Sequence, residues 1–255
     1  MAIYLGNKKV STKSGYVTNT GLKDLFNNGV KFAYSDVASY NDFINYSDTE
    51  NVEDMENLFY QNINLIDFPN IDFSKATRTQ YMFYEAKFTH AGPINTSSSL
   101  INTVGMFEKC ANLKDVQILD MSNVIYTGSM FRDCKSLETL QVINIENAVH
   151  ITFADYMFIN CKKLSEIPAF DLTNTFSMSE IFYGCSSLKF IHCKNIGTSF
   201  YISSSTLFTR EALLEIINNL QTVKETQTLT MGETNLAKLT DEDKAIATNK
   251  GWTLA

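Results

Sequence analysis

The chain has 255 residues, of which 44% are hydrophobic, with a formal net charge of −7 and no long basic run. Its length allows a large core in one or two domains, and its charge disfavours nucleic acid and anionic membrane surfaces as partners. No apolar run is long enough to span a bilayer. The first nine residues lack the apolar centre of a secretory signal, so the expectation is either no export by that route or a leader already removed.

Residues 1–50 read as an N-terminal cap. Ile3 to Val10, with Gly6-Asn7 between, predicts two strands around a tight turn. Thr20 to Phe26 predicts a short helix ended by Asn27-Asn28-Gly29. Leu25-Phe26 is a degenerate first copy of a pattern that becomes regular later. An irregular stretch rich in Tyr, Asp and Ser follows, and Tyr34, Tyr40, Tyr46 and Tyr60 are expected to be exposed.

Residues 51–208 read as an array of about six repeats. Met55, Leu58 and Phe59 open it, with Asn62 three positions on and Leu65 and Phe68 in strand positions. Phe83 begins a weaker copy, with Ala86 in place of Asn62. The segment from Thr89 to Ser99, with Gly92-Pro93, predicts a loop or irregular edge. The pattern then sharpens to MFEKCANLKDVQI, MFRDCKSLETLQV, MFINCKKLSEIPA and IFYGCSSLKFIHC. Phe107, Phe131, Phe158 and Phe182 are spaced 24, 27 and 24 residues apart. A period of this size predicts a leucine-rich-repeat solenoid of α/β class.

Each repeat reads as two half-turns. Met178, Ile181, Phe182 and Cys185 fall at i, i+3, i+4 and i+7, the spacing of one helix face; Ala154, Met157, Phe158 and Cys161 repeat it. Leu113, Val116 and Ile118 predict a short strand with its apolar side inward. Leu137, Leu140 and Val142, then Leu164, Ile167 and Ala169, then Leu188, Ile191 and Cys193 follow suit. Pro69 and Pro168 share an offset and fit a strand edge that needs no N–H there. Residues 209–255 read as a C-terminal cap. Thr209 is the N-cap of a helix to about Leu220, and Thr228 to Gly232 is a strand. Thr240 and Asp243 form a capping box for a helix to about Asn249, followed by Gly251 as C-cap and a final strand at Trp252.

Few residues suggest chemistry. Cys110, Cys134, Cys161 and Cys185 hold one repeat position and Cys193 lies in a strand, which points to reduced, buried thiols rather than disulfides or zinc. Asp72, Asp120, Asn144, Asp171 and Asn195 form one polar column, and Asn123, Asn147 and Asn174 another. Such a ladder can suggest calcium, but short polar side chains bonded to the local backbone are the preferred reading. His90, His150 and His192 sit at different offsets. No metal site, cofactor or nucleophile motif is expected, although carboxylates meeting across repeats keep a hydrolase as an outside alternative. The outward strand positions are Asp115 and Gln117, Thr139 and Gln141, Glu166 and Pro168, Phe190 and His192. Of these, Gln117, Gln141, Phe190 and His192 are the candidate binding residues, because an outward aromatic is a typical interface anchor.

The motif M-F-x-x-C-x-x-L-x-x-L/I, followed by Leu119-Asp120-Met121-Ser122-Asn123-Val124, resembles the BspA-like leucine-rich repeats of bacterial surface proteins. It is strong from Met106 to Cys185 and weaker from Asn51 to Phe208. The resemblance implies a right-handed α/β superhelix with helical turns on its convex side. It also implies a non-enzymatic adhesin that binds a host protein or glycan at a cell surface. The ends, MAIYLGNKKVS and TNLAKLTDEDKAIATNKGWTLA, resemble those of repeat proteins encoded by gut Firmicutes and their prophages. That likeness implies the alternative of a tail-associated receptor-binding protein on a phage particle.

Overall fold

The computed structural model describes residues 53–255, apart from residues 62–65, 69–72, 97, 119 and 143–147, and the backbone of two short strands nearer the N-terminus. Those two strands, β1 (Tyr4–Leu5) and β2 (Lys8–Lys9), pair antiparallel as expected. The helix expected at 20–26, the three earlier tyrosines, and Asn62, Leu65, Pro69, Asp72, Asn144 and Asn147 lie outside the described residues.

The fold is mixed α/β, with several short parallel sheets around a large aromatic core. Strands β3 (His90–Ile94), β4 (Asp115–Ile118) and β5 (Thr139–Val142) form one parallel sheet, and β6 (Glu166–Ile167) and β7 (Phe190–Ile191) a second. Strand β8 (Phe200–Tyr201) joins β9 (Gln227–Thr230) and β10 (Trp252–Leu254) in a third. Among the described residues the helices are α1 (Arg210–Asn218), the short α2 (Glu233–Leu236), which the sequence does not predict, and α3 (Asp241–Asn249). Among the described residues no helix is long and apolar enough to cross a membrane.

The phenylalanines that mark the repeat form one stack. Phe59, Phe83, Phe107, Phe131, Phe158 and Phe182 lie face to face, with ring centroids 5.5, 5.5, 5.5, 5.6 and 6.0 Å apart. Phe200 and then Trp252 continue it edge-on into the C-terminal segment. One repeat alone could not hide its ring; the next repeat covers it. Each buried ring is worth roughly 1.5–3 kcal/mol of transfer free energy.

The half-turn before each Cys is not an α-helix. Its backbone makes consecutive tight turns, with two residues per repeat at positive φ, two positions before and two after the Phe. These are Asn57 and Gln61, Tyr81 and Glu85, Gly105 and Lys109, Ser129 and Asp133, Tyr156 and Asn160, Glu180 and Gly184. Amides alternate in direction as a result. Met106, Glu108 and Cys110 donate three residues back, to Thr103, Gly105 and Phe107. Gly105, Phe107 and Lys109 donate forward to Gly128, Met130 and Arg132 of the next repeat, at 2.9, 2.9 and 2.7 Å. A helix would keep every bond inside its own segment. Here half of them join neighbours, offsetting the roughly 1–2 kcal/mol that a non-glycine residue loses in the left-handed region. Turns of three residues bury nearly the same i, i+3, i+4, i+7 positions as a helix, so the apolar spacing could not separate the two.

Of the two alternatives for Thr89 to Ser99, a loop or an irregular edge, the structure shows the second: His90–Ile94 is the edge strand of its sheet, paired with β4 and irregular between Ala91 and Ile94. Gly92 has φ +115°, and a Cβ there would lie 2.4 Å from the carbonyl oxygen of Gln117. Only glycine lets the irregular strand approach β4 this closely. Ala169 and Val142, expected inside, are half-buried, and Cys193 falls just past β7.

The C-terminal segment follows its capping signals. Thr209 accepts from the Ala212 amide at the start of α1, and Thr240 and Asp243 form the capping box of α3. Lys250 is itself the C-cap of α3, with Gly251 next at φ +88°. Its ammonium donates to the carbonyls of Ile217, Asn218 and Leu220, satisfying groups that the end of α1 leaves over. Ser204 Oγ accepts from the Gly184 amide at 2.8 Å. It stands where another repeat would supply a carbonyl, so the forward hydrogen bonds finish on a side chain.

Candidate functional site

The strand face was expected to carry recognition, and the described strands place its residues outward. Val116, Ile118, Leu140, Ile167 and Ile191 are buried. The intervening Thr139, Gln141, Glu166 and Phe190 are exposed, and Asp115, Gln117, Pro168 and His192 half-exposed. Parallel register sets like position beside like: Gln117 opposite Gln141, and Glu166 opposite Phe190.

The four candidate residues fall into two pairs. Gln117 donates from Nε2 to Gln141 Oε1 at 3.4 Å, on the sheet of β4 and β5. A depression of about 270 Å³ lies there, lined by Gly92, Asp115, Gln117, Thr139 and Gln141 among others. His90 Nδ1 meets Asp115 Oδ2 at its edge, 2.5 Å away. On the other sheet, the Phe190 and His192 rings stack at 5.9 Å, nearly parallel. His192 Nδ1 lies 2.6 Å from Glu215 of α1, and Nε2 lies 3.3 Å from Glu166 of β6. A neutral imidazole has one N–H, so it can donate to only one of these carboxylates. Between the pairs, β5 and β6 are not hydrogen-bonded to each other, and a cleft of about 390 Å³ opens there.

The polar columns hold turns together. Asp120 Oδ1 accepts from the Ser122 amide, and Asp171 Oδ1 from the Thr173 amide, at 2.7 and 2.9 Å. Burial alone would raise the Asp171 carboxyl, but hydrogen bonds from Thr173 and Asn195 outweigh it and hold it below its usual value. Asn123 and Asn174 donate to Ser98 and Val149 of the preceding repeat. Among the described residues, no group of three or more His, Cys, Asp or Glu side chains could hold a metal ion.

All five cysteines are free and buried. Cys110, Cys134, Cys161 and Cys185 each donate from Sγ to the Phe carbonyl one repeat back, at 3.0, 3.0, 3.1 and 2.9 Å. Burial pushes the thiols up, Cys185 and Cys193 to about 12, so the thiolate that attacks or binds metal is suppressed. The column therefore acts as buttons between repeats. A second exposed row, overlooked in the sequence, lies at the turn leading into each Phe. Tyr126 and Phe153 stack at 5.4 Å, and Phe176 is 78% exposed beside them. Its signal was an aromatic five or six positions before the repeat Phe, where other repeats carry Arg78 or Asn102.

Comparison with known families gives two overlapping matches, at residues 20–113 and 88–196, to one described as "Mycoplasma protein of unknown function, DUF285". No curated protein and no solved structure matches the chain significantly. The two matches together cover more than half of the chain, which belongs to this repeat family.

Proposed function

Taking membership of that family as the premise, we propose that the chain is a non-enzymatic binding module. It is a leucine-rich-repeat solenoid of the BspA-like kind, at or outside a cell surface, that recognises a protein or glycan through its strand face. The repeating forward hydrogen bonds and the phenylalanine stack support the solenoid, since on the turn side successive repeats close on their neighbours in the same way. The observation that carries the binding role is the set of outward side chains in register, ending in a solvent-exposed Phe190 stacked on His192. An aromatic ring held outward by a neighbouring ring is pre-organised to anchor a partner.

The test uses the intact chain as bait on a glycan array and in pull-downs, followed by affinity measurements on whatever is captured. Phe190→Ala should weaken that affinity by about 1 kcal/mol or more, roughly fivefold, with the melting temperature unchanged. Full affinity in a Phe190→Ala, Gln141→Ala double variant would remove the strand face from the reading. Turnover in a screen of glycan and ester substrates would remove its non-enzymatic part.

A further inference from the structure

Strands β5 and β6 occupy the same place in consecutive repeats, yet they do not pair. In the flanking repeats the first strand amides donate backwards. Glu138 and Thr139 donate to the Lys114 carbonyl at 2.7 and 3.2 Å, and Lys189 and Phe190 to that of Ser165 at 2.8 and 3.3 Å. The equivalent amides of Ser165 and Glu166 have no hydrogen-bond partner among the described residues, and neither has the Glu138 carbonyl that would receive them. Further along, His192 donates to the Ile167 carbonyl at 3.1 Å. The residue in its place on β6 is Pro168, which has no N–H, so the Leu140 carbonyl receives nothing from β6. On the turn side the same two repeats stay joined, with Phe131 donating to Met157 at 2.9 Å and Asp133 to Ile159 at 2.7 Å. Among the described residues the separation lies on the strand face.

The cleft so formed, about 390 Å³, falls within the roughly 300–1,000 Å³ of small-ligand sites. Leu140, Val142 and Pro168 line it with apolar groups, and Thr139, Gln141 and Ser165 line it with donors and acceptors. Glu138 and Glu166 also line it, Glu138 held 3.3 Å from Lys163 Nζ. Two carboxylates there disfavour an anionic ligand. The strands come within 8 Å of each other at some Cα pairs, whereas a strand inserted between them needs about 9.5 Å, so a peptide does not enter the sheet as an added strand, and a ligand must be compact and seated on the outward side of the cleft.

We propose that the cleft between β5 and β6 binds a neutral saccharide, its ring face on Pro168 and its hydroxyls bonded to Gln141, Thr139 and the free amides of Ser165 and Glu166. This rests on the strand-face reading above and names its ligand class and its place. The test is a titration of the isotope-labelled full chain, followed by amide resonances, with neutral cello-, malto-, chito- and galacto-oligosaccharides and with sialyllactose. At least one neutral sugar should shift Ser165, Glu166 and Gln141, with sialyllactose at least tenfold weaker. Thr139→Ala should weaken the effective sugar at least tenfold while the rest of the spectrum, and hence the fold, is retained. No shift at Ser165 and Glu166 with any neutral sugar would overturn the proposal, as would tighter binding of sialyllactose. If in that case a captured protein still depends on Phe190, the strand-face reading survives without the saccharide; if it does not, both fall.

Discussion

The repeat array and the C-terminal segment solve the same problem in opposite ways. In the array each stabilising contact recurs. A Phe ring stacks on the next, a thiol reaches back to a carbonyl, and alternate turn amides reach forward. In the C-terminal segment each contact occurs once. Arg210 pairs with Asp243 through two hydrogen bonds, Lys250 collects three carbonyls, and the Trp252 indole donates to Gln221. The difference teaches where each region is vulnerable. A repeated contact tolerates change at exposed positions but suffers when a core ring is removed, because a gap in the stack touches both neighbours. A segment built from single contacts responds to the loss of a cap.

Phe158→Ala breaks the array most severely. The ring lies between Phe131 and Phe182 and is 1% exposed. Its removal should cost about 3–5 kcal/mol in denaturant unfolding. Gly92→Ala comes next, on the order of 2 kcal/mol, because the new Cβ meets backbone at a φ that L residues avoid. Full stability in that variant would mean that β3 does not approach β4 as described.

The C-terminal segment answers to smaller changes. Thr240→Ala removes the N-cap acceptor of α3 and should cost about 1 kcal/mol. Asp243 adds a pH signature. The Arg210 guanidinium, helped by the Thr240 amide, holds its carboxyl below the ordinary value. A carboxyl depressed by folding stabilises above its unfolded pKa, and that contribution disappears as pH falls through the folded value. Asp243→Asn should therefore melt lower than the wild type at pH 7, and the gap should close in acid, below the ordinary carboxylate range. A gap that widens in acid would mean the ion pair is not what stabilises the segment. Lys189→Ala, exposed on the strand face, should shift stability by less than about 0.5 kcal/mol.

What the sequence made legible was whatever repeats. The phenylalanine stack, the buried cysteines and the outward set of Gln117, Gln141, Phe190 and His192 follow from offsets that can be counted. Helices α1 and α3 follow from Thr209 and Thr240, whose capping role is local. The turn geometry did not follow, because successive tight turns and a helix bury the same apolar positions. A partial signal lies in the residue type two places either side of the Phe: Asn57, Gly105, Asp133, Asn160 and Gly184 tolerate a left-handed backbone, whereas the other seven of the twelve positions carry residues that give no such sign. Strand β3 was hidden because its pairing depends on how closely Gly92 approaches Gln117, a tertiary matter. Pro168 did announce an edge. That this edge faces the unpaired side of β5 across a cleft depends on the next repeat's path, which no local pattern encodes.

Residue-resolved amide exchange tests the central claim, a stack continuous on its turn side and open on its strand face between β5 and β6. The account predicts slow exchange at Gly105, Phe107, Phe131 and Phe158, whose amides donate to the next repeat, and at Glu138 and Lys189 on the strand face. It predicts fast exchange at Ser165 and Glu166. Protection of Ser165 and Glu166 equal to that of Glu138 and Lys189 would contradict it, because the two sheets would then be one and the cleft closed.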